Sequence, residues 1–376
     1  MLKYKYRDMV DGGAFLTKKI GVLTGGGDCP GLNAVLRAVV KTAVNQYGYQ
    51  VIGFRDGYHG LVCNDFIELT PASVSGLVGR GGTILGSSNR DNPFKYRVEN
   101  NGTVECKDMS DKVIANLKAM GIECLVVIGG DGTLSSGRDF SIKGLNVVGV
   151  PKTIDNDLDA TDITFGFMTA VDTATDAIDK LHTTAESHHR VMVLEVMGRY
   201  AGWIALYSGI AGGADVIIIP EIPYNLERVI QKIKDRKNAG KSFSIIVIAE
   251  GAKPQGGEMV VQKIVTDSPD PIRLGGVGQY LADQLEKNAH IETRVTVLGH
   301  LQRGGQTSPY DRILSTRYGV GAVKLIAAEK YGMMVSLQGS KVTAVPIGDA
   351  VGKLKNVSQT DELINVAESV GISFGC

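Results

Sequence analysis

The most regular signal along the chain is an alternation between short, continuous apolar runs and amphipathic stretches. Ile20-Gly21-Val22-Leu23 is too short for a helix and lacks polar alternation, which predicts a strand buried on both faces. A glycine-rich turn follows. From Leu32 onward, apolar residues recur at 32, 35, 36, 39, 40, 43 and 44, the spacing of one helix face. The same grammar returns along the chain. The run 124–128 leads into Gly129-Gly130-Asp131-Gly132, and 147–150 leads into 151–157 and then a helical pattern over 168–186. The run 191–194 leads into Met197-Gly198-Arg199, and 245–249 into Glu250-Gly251. Apolar strands alternating with helices predict an α/β protein with parallel sheets covered on both faces. In such sheets ligands gather at the carboxyl ends of the strands, where these polar and glycine-rich strings fall.

At ~100–200 residues per domain, 376 residues suggest two domains. No Pro/Ser-rich linker separates them, so the halves are expected to share a tight interface or exchange segments. Forty basic residues balance forty acidic ones, which speaks against a nucleic-acid partner. No apolar run approaches the ~20 residues needed to span a bilayer. Residues 1–18 read as a polar extension without the apolar core of a secretory signal. Five cysteines, odd in number and without CxxC spacing, argue against a disulfide framework or zinc site and for a reducing cytoplasm. Glycine is the unusual count, 48, and many glycines follow apolar runs, where backbone can approach an anion.

The strings themselves carry chemistry of graded specificity. Gly25-Gly26-Gly27-Asp28-Cys29-Pro30-Gly31 joins a strand to a helix. Its N–H groups and the helix dipole suit phosphate, although a tight turn explains three glycines equally well. Gly129-Gly130-Asp131-Gly132-Thr133 places a carboxylate among glycines, where it can meet magnesium while the glycines cradle phosphates. That string suits lipid and NAD kinases too, so it names no acceptor. In Thr153-Ile154-Asp155-Asn156-Asp157 two carboxylates stand two residues apart, and an extended segment would point them the same way. A carboxylate beside a magnesium-bound phosphate is a plausible base for a hydroxyl acceptor, and an Asx-turn is the structural alternative. Arg190, Arg199, Arg294 and Arg303 each fall near the end of an apolar strand-like run, and together they favour an anionic ligand. His188 and His189 read as loop and His300 as a hydrogen-bonding partner, with no ligand spacing for metal. Gly240-Lys241-Ser242 lacks the earlier glycine of a Walker loop and reads as a turn.

Taken together these strings resemble the 6-phosphofructokinase family over roughly residues 20–350. The matching blocks include Pro30-Gly31-Leu32-Asn33, Pro151-Lys152 with the Thr153 string, Glu195-Val196-Met197-Gly198-Arg199, Glu250-Gly251, and Leu298-Gly299-His300-Leu301-Gln302-Arg303-Gly304-Gly305. The resemblance implies two Rossmann-like domains with the chain crossing between them. A donor (ATP) domain would comprise 19–166 and 302–352, and a fructose 6-phosphate domain 167–301 and 353–376. It implies Mg²⁺-assisted phosphoryl transfer from ATP to the sugar 1-hydroxyl, giving fructose 1,6-bisphosphate in glycolysis. Carried over, Asp155 is the base and Asp131 the Mg²⁺ ligand, Thr153 and Arg199 hold the transferring group, and Asp157 joins the catalytic set. The donor would meet Gly26, Gly27, Arg90, Gly130, Asp131, Gly132, Thr133 and Lys152. Ile154, Met197, Gly198, Glu250, His300, Leu301, Gln302 and Arg303 would line the sugar phosphate site. Arg190 and Arg294 match arginines that the family supplies from a neighbouring subunit, which implies a dimer or tetramer. Arg90 departs from the pattern, since it follows Gly86 by four residues where the family's arginine often follows by three.

Two positions bear on the donor. Glycine at 132 resembles ATP users, whereas Asp marks pyrophosphate users; Lys152 resembles the pyrophosphate users. An Asp at 132 would exclude an α-phosphate by bulk and charge, while a lysine attracts either donor, so ATP is expected and pyrophosphate is the alternative. A catalytically inactive nucleotide-sensing subunit is a more distant reading, against which Asp131, Asp155, Asp157 and Arg199 all stand. Arg37, Lys41 and Glu221 match effector positions loosely, and a weak or absent response to nucleoside diphosphates is expected.

Overall fold

In a computed structural model, residues 17–100, 103–264 and 272–376 are described. The first half runs β1 (Lys19–Thr24), α1 (Leu32–Tyr47), β2 (Gln50–Phe54), α2 (Tyr58–Cys63), β3 (Phe66–Leu69) and a hairpin of β4 (Tyr96–Asn100) and β5 (Thr103–Lys107). It continues with α3 (Ser110–Ala119), β6 (Ile122–Gly129), α4 (Asp131–Ile142), β7 (Val147–Thr153) and a two-residue β8 (Phe165–Gly166). Then come α5 (Phe167–His188), β9 (Val191–Val196), α6 (Trp203–Ala211), β10 (Val216–Ile218), α7 (Leu226–Asn238) and β11 (Ser244–Ala249). After a second hairpin, β12 (Val261–Ile264) and β13 (Ile272–Leu274), follow α8 (Val277–Ala289) and β14 (Thr293–Val297). The chain finishes with α9 (Pro309–Ala327), β15 (Met333–Gln338), β16 (Lys341–Pro346), α10 (Ile347–Ala350) and α11 (Glu362–Ser369).

Two sheets organise these elements. The larger has the order β16-β15-β7-β6-β1-β2-β3, with β8 beside β7. Its pairs are parallel except β2–β3 and β15–β16 at the two edges. The smaller, β10-β11-β9-β14, is parallel throughout. Strands read as continuous apolar runs are buried along their whole length, as in β7, β9 and β11. Helices cover both faces, which is why those strands show no alternation.

The chain leaves the large sheet through α5, builds the small one, and returns with α9 to add β15 and β16. It then crosses again, and Ser373 pairs beside Val216 at the small sheet's edge. The absence of a linker in the sequence thus has a topological cause. One core cluster runs through both sheets, from Ile20 and Val126 to Leu194 and Val247.

Candidate active site

The glycine loop after β1 is pinned from two sides. Gly25 N donates to the Ile128 carbonyl at 2.9 Å, and Gly26 N to the Ser88 carbonyl at 2.9 Å. Ser87 Oγ donates back to the Gly26 carbonyl at 2.5 Å. Thr133, the third residue of α4, packs into this loop. A Cβ on Gly25 would lie 2.7 Å from its methyl, and one on Gly129 would lie 2.3 Å from its Cβ. Both glycines are therefore required by Thr133 as much as by any ligand. Gly31 enters α1 at φ 107, where a side chain would also strike Ser315 and Phe165.

Four predicted donor residues differ sharply in their surroundings. Lys152 is buried, its ammonium donates to the Gly27 carbonyl, and burial pushes its pKa down. Asp131 begins α4 and its Oδ1 accepts from Gly352 N at 2.6 Å. Gly132 is exposed, and a Cβ there would meet nothing within 4 Å. Arg90 is also exposed, its own N–H turned back onto Ser88 Oγ at 3.2 Å.

The turn after β7 corrects one expectation. An extended course would have aligned Asp155 with Asp157, but the strand ends at Thr153 and Asn156 has φ 52. Asn156 Oδ1 accepts from Thr164 N at 3.0 Å, and Asp155 N donates to Thr153 Oγ1 at 3.0 Å, so side chains close the turn. Asp155 is 8% exposed and its Oδ1 is buried with no hydrogen-bond partner. Asp157 stays electrostatically linked to it. Burial foremost, and then the Asp155 charge, push the Asp157 carboxyl up to about 6, opposed by Thr153 and Arg199.

The second sheet delivers the opposite wall. Past β9, Gly198 has φ 142 and Arg199 the left-handed φ of 54. Glu250 holds that turn by accepting from Arg199 N at 3.1 Å. Gly251 lies so close beneath that a Cβ would come 1.9 Å from the Arg199 carbonyl oxygen. Burial, then the Asp155 charge, push the Glu250 carboxyl up to about 7, with Arg199 N and Arg303 pulling it down. A 3-10 turn over Gly299–Arg303 brings the walls together. Arg303 Nη1 donates to the Asp28 carbonyl at 3.1 Å and lies 3.0 Å from where a Gly27 Cβ would stand. Arg303 therefore reaches from the 3-10 turn to the glycine loop after β1.

Within this turn His300 and Leu301 are exposed, but Gln302 is fully buried. Its Oε1 accepts from Met197 N at 2.8 Å and its Nε2 donates to the Ala170 carbonyl at 3.5 Å. The expectation that it lines the sugar site gives way to a supporting place behind Met197. His188 also differs: it is the last helical residue of α5, and only His189 turns out of the helix.

Arg190 and Arg294 do not join the others within this chain. They stand at the amino ends of β9 and β14, where both bond Glu292 at 2.8 Å. Arg199 and Glu250 emerge at the carboxyl ends, and six residues of strand separate the two edges by roughly 20 Å.

Residues 19–326 match the sequence model of the phosphofructokinase family. The chain belongs to that family. A relative from Clostridium perfringens named ATP-dependent 6-phosphofructokinase 2 is 63% identical over 361 residues, covering 95% of this chain and 98% of the relative. A Streptomyces coelicolor relative named pyrophosphate–fructose 6-phosphate 1-phosphotransferase is 51% identical over 358 residues, covering 95% and 100%. The solved Saccharomyces cerevisiae phosphofructokinase superposes with a TM-score of 0.75 at 31% identity. That alignment covers 94% of this chain, which spans only 46% of the yeast chain. Two donor names therefore occur among phosphofructokinases very similar to this one. Global identity does not separate them, and the residues at the donor site must.

Sequence reasoning gave no individual role to several residues that shape this phosphofructokinase site. Asn33 donates to the Arg80 and Gly81 carbonyls and accepts from Ile84 N at 2.9 Å, fixing the approach to the Ser87-Ser88 loop. Gly352 and Lys355 reach the site from far along the chain, and nothing local in the sequence marks them.

Proposed function

We propose that this phosphofructokinase transfers the γ-phosphoryl group of ATP to the 1-hydroxyl of fructose 6-phosphate. The observation that carries the donor assignment is the open space at Gly132. A nucleoside and α-phosphate can pass where an Asp would repel them. Lys152 does not counter this, because its ammonium already holds the Gly27 carbonyl and shapes the loop for either donor.

In this reading the unpartnered Asp155 Oδ1 takes the proton of the sugar hydroxyl, and Thr153 and Arg199 hold the transferring group. Met197, Gly198, Glu250, His300 and Arg303 face the sugar phosphate. Gly26, Gly27, Gly130, Thr133 and Arg90 face the donor. Arg190 and Arg294, at the far edge, would serve a neighbouring subunit's site, so the working enzyme is at least a dimer. Asp131 would hold Mg²⁺, whose chemistry is to neutralise phosphate charge. A single carboxylate suits this ion, which keeps several waters and relies on substrate phosphates. Among the described residues no group of three or more His, Cys, Asp or Glu forms a self-sufficient cage, in keeping with that arrangement. The domain division proposed with this reading is 19–166 with 302–352 for the donor and 167–301 with 353–376 for the sugar, and the two sheets support it. The proposed setting is glycolysis in the cytoplasm.

A donor competition tests the reading: kcat/KM with MgATP and with magnesium pyrophosphate on one preparation. Preference for ATP, abolished by Gly132→Asp, is expected. Preference for pyrophosphate with a silent Gly132→Asp would overturn it.

A further inference from the structure

After α10 the chain runs as an irregular segment across the site, and its hydrogen bonds are unusually far-flung. Gly352 N donates to Asp131 Oδ1 at 2.6 Å, at the start of α4. Leu354 bridges Leu158 in the turn after β7, and Lys355 N donates to the Asp157 carbonyl at 2.9 Å. The Lys355 ammonium then donates to the Thr161 carbonyl at 3.0 Å and the Asp162 carbonyl at 2.5 Å, further along that turn. It also lies 5.4 Å from the centre of the Trp203 ring, whose Nε1 donates to the Lys355 carbonyl at 2.7 Å. Finally Val357 N donates to Glu221 Oε1 at 2.9 Å, an oxygen that also accepts from Gly202 N at 2.9 Å. Six residues therefore touch the donor-side carboxylate, the turn bearing Asp155 and Asp157, and the start of α6, which directly follows the Met197–Arg199 string.

We propose that residues 352–357 are a strap that sets the acceptor turn against both sheets, and that Lys355 is its positioning residue. The inference rests on the phosphotransferase reading above. The strap's other hydrogen bonds use main-chain groups, its N–H donors and the Lys355 carbonyl that accepts from Trp203 Nε1, which a change of the Lys355 side chain would leave in place. Lys355 alone contributes side-chain donors, and it uses them on carbonyls of the turn that carries the proposed base. Trp203 closes the arrangement from the other sheet. An ammonium over an indole face is favourable, and this one is largely withdrawn from water, with its pKa pushed down to about 8 mainly by burial. A transfer step that depends on placing a hydroxyl, a base and a phosphoryl group together loses up to about 10²-fold when one of them shifts by about 1 Å.

The test uses the full-length enzyme, with kcat and both KM values for fructose 6-phosphate and MgATP. Lys355→Met keeps a stem over Trp203 and removes the donors. The expected result is a loss of roughly tenfold or more in kcat with both KM values within about threefold. Lys355→Arg should recover much of the rate. Lys330→Met, an exposed lysine elsewhere, should match wild type. Trp203 is the single tryptophan, so its emission reports the strap directly and should shift in Lys355→Met without ligand. Trp203→Phe, which removes the indole N–H bond to the strap and shrinks the ring under the ammonium, gives a second variant should Lys355→Met fail to fold, with a comparable loss in kcat expected. Wild-type kcat in the folded variants, or a loss confined to KM with unchanged emission, would overturn the proposal. A wild-type enzyme inactive on fructose 6-phosphate would instead defeat the underlying functional reading, and the emission shift separates the two.

Discussion

Glu250→Gln should stabilise the ligand-free protein, and by an amount that depends on pH in a defined direction. The carboxyl is buried beside Asp155, and those two causes raise it from the ordinary 4.5 to about 7 against the pull of Arg199 N and Arg303. Below about pH 4.5 the acid is neutral in folded and unfolded chains alike, and it contributes no difference. Between 4.5 and 7 the unfolded chain ionises while the folded one keeps its proton. The folded state then binds more protons, so stability falls as pH rises through this window. Above pH 7 both are ionised and the full penalty remains, about 3 kcal/mol for a gap of this size. Glutamine still accepts from Arg199 N but never ionises, so it avoids the penalty. Urea midpoints at fixed protein concentration, measured from pH 4.5 to 8.5, should converge at the acid end and separate at the alkaline end. A separation that is constant, or that widens toward acid, would refute the reasoning.

Four further substitutions address the site. Asp155→Asn should lower kcat by about 10²–10⁴-fold with secondary structure intact by circular dichroism, since a base contributes on that scale. Gly251→Ala should push the Arg199 turn away, because its Cβ would stand 1.9 Å from a main-chain oxygen; a lowered melting temperature and a raised KM for fructose 6-phosphate would register it. Gly132→Ala, in the first turn of α4 with nothing within 4 Å, should hold or raise stability by up to about 1 kcal/mol by thermal melting. Gly132→Asp should be equally well folded yet lose MgATP turnover.

The strands and the main helices were legible because burial on both faces writes itself as unbroken apolar runs. The run at 245–249 and the helix face beginning at Leu32 both fell in place. Local strings were legible too, since Gly129 to Thr133 must turn from strand to helix over a tightly packed threonine. What escaped was anything set by distant partners. Gln302 reads as one more polar residue of a binding string, and only the fold reveals that Met197 N and Ala170 bury it. The course of 153–157 depended on Asn156 meeting Thr164, a contact eight residues away that alternation cannot express. The strap is the extreme case, because Asp131 and Gly352 are joined across 221 residues of sequence.

The repeated crossing of the chain also governs the order in which this protein can mature on the ribosome. The large sheet lacks β15 and β16 until long after the small sheet's strands have been synthesised. The small sheet in turn waits for Ser373, which bonds Asp215 and Ile217, and for Phe374, which is 2% exposed. Neither half can complete its edge while the other is being made, so both nascent sheets present unpaired strand edges together. A pause or cut between residues 297 and 333 would therefore leave two incomplete sheets. Escape from aggregation would then depend on how quickly the later residues arrive.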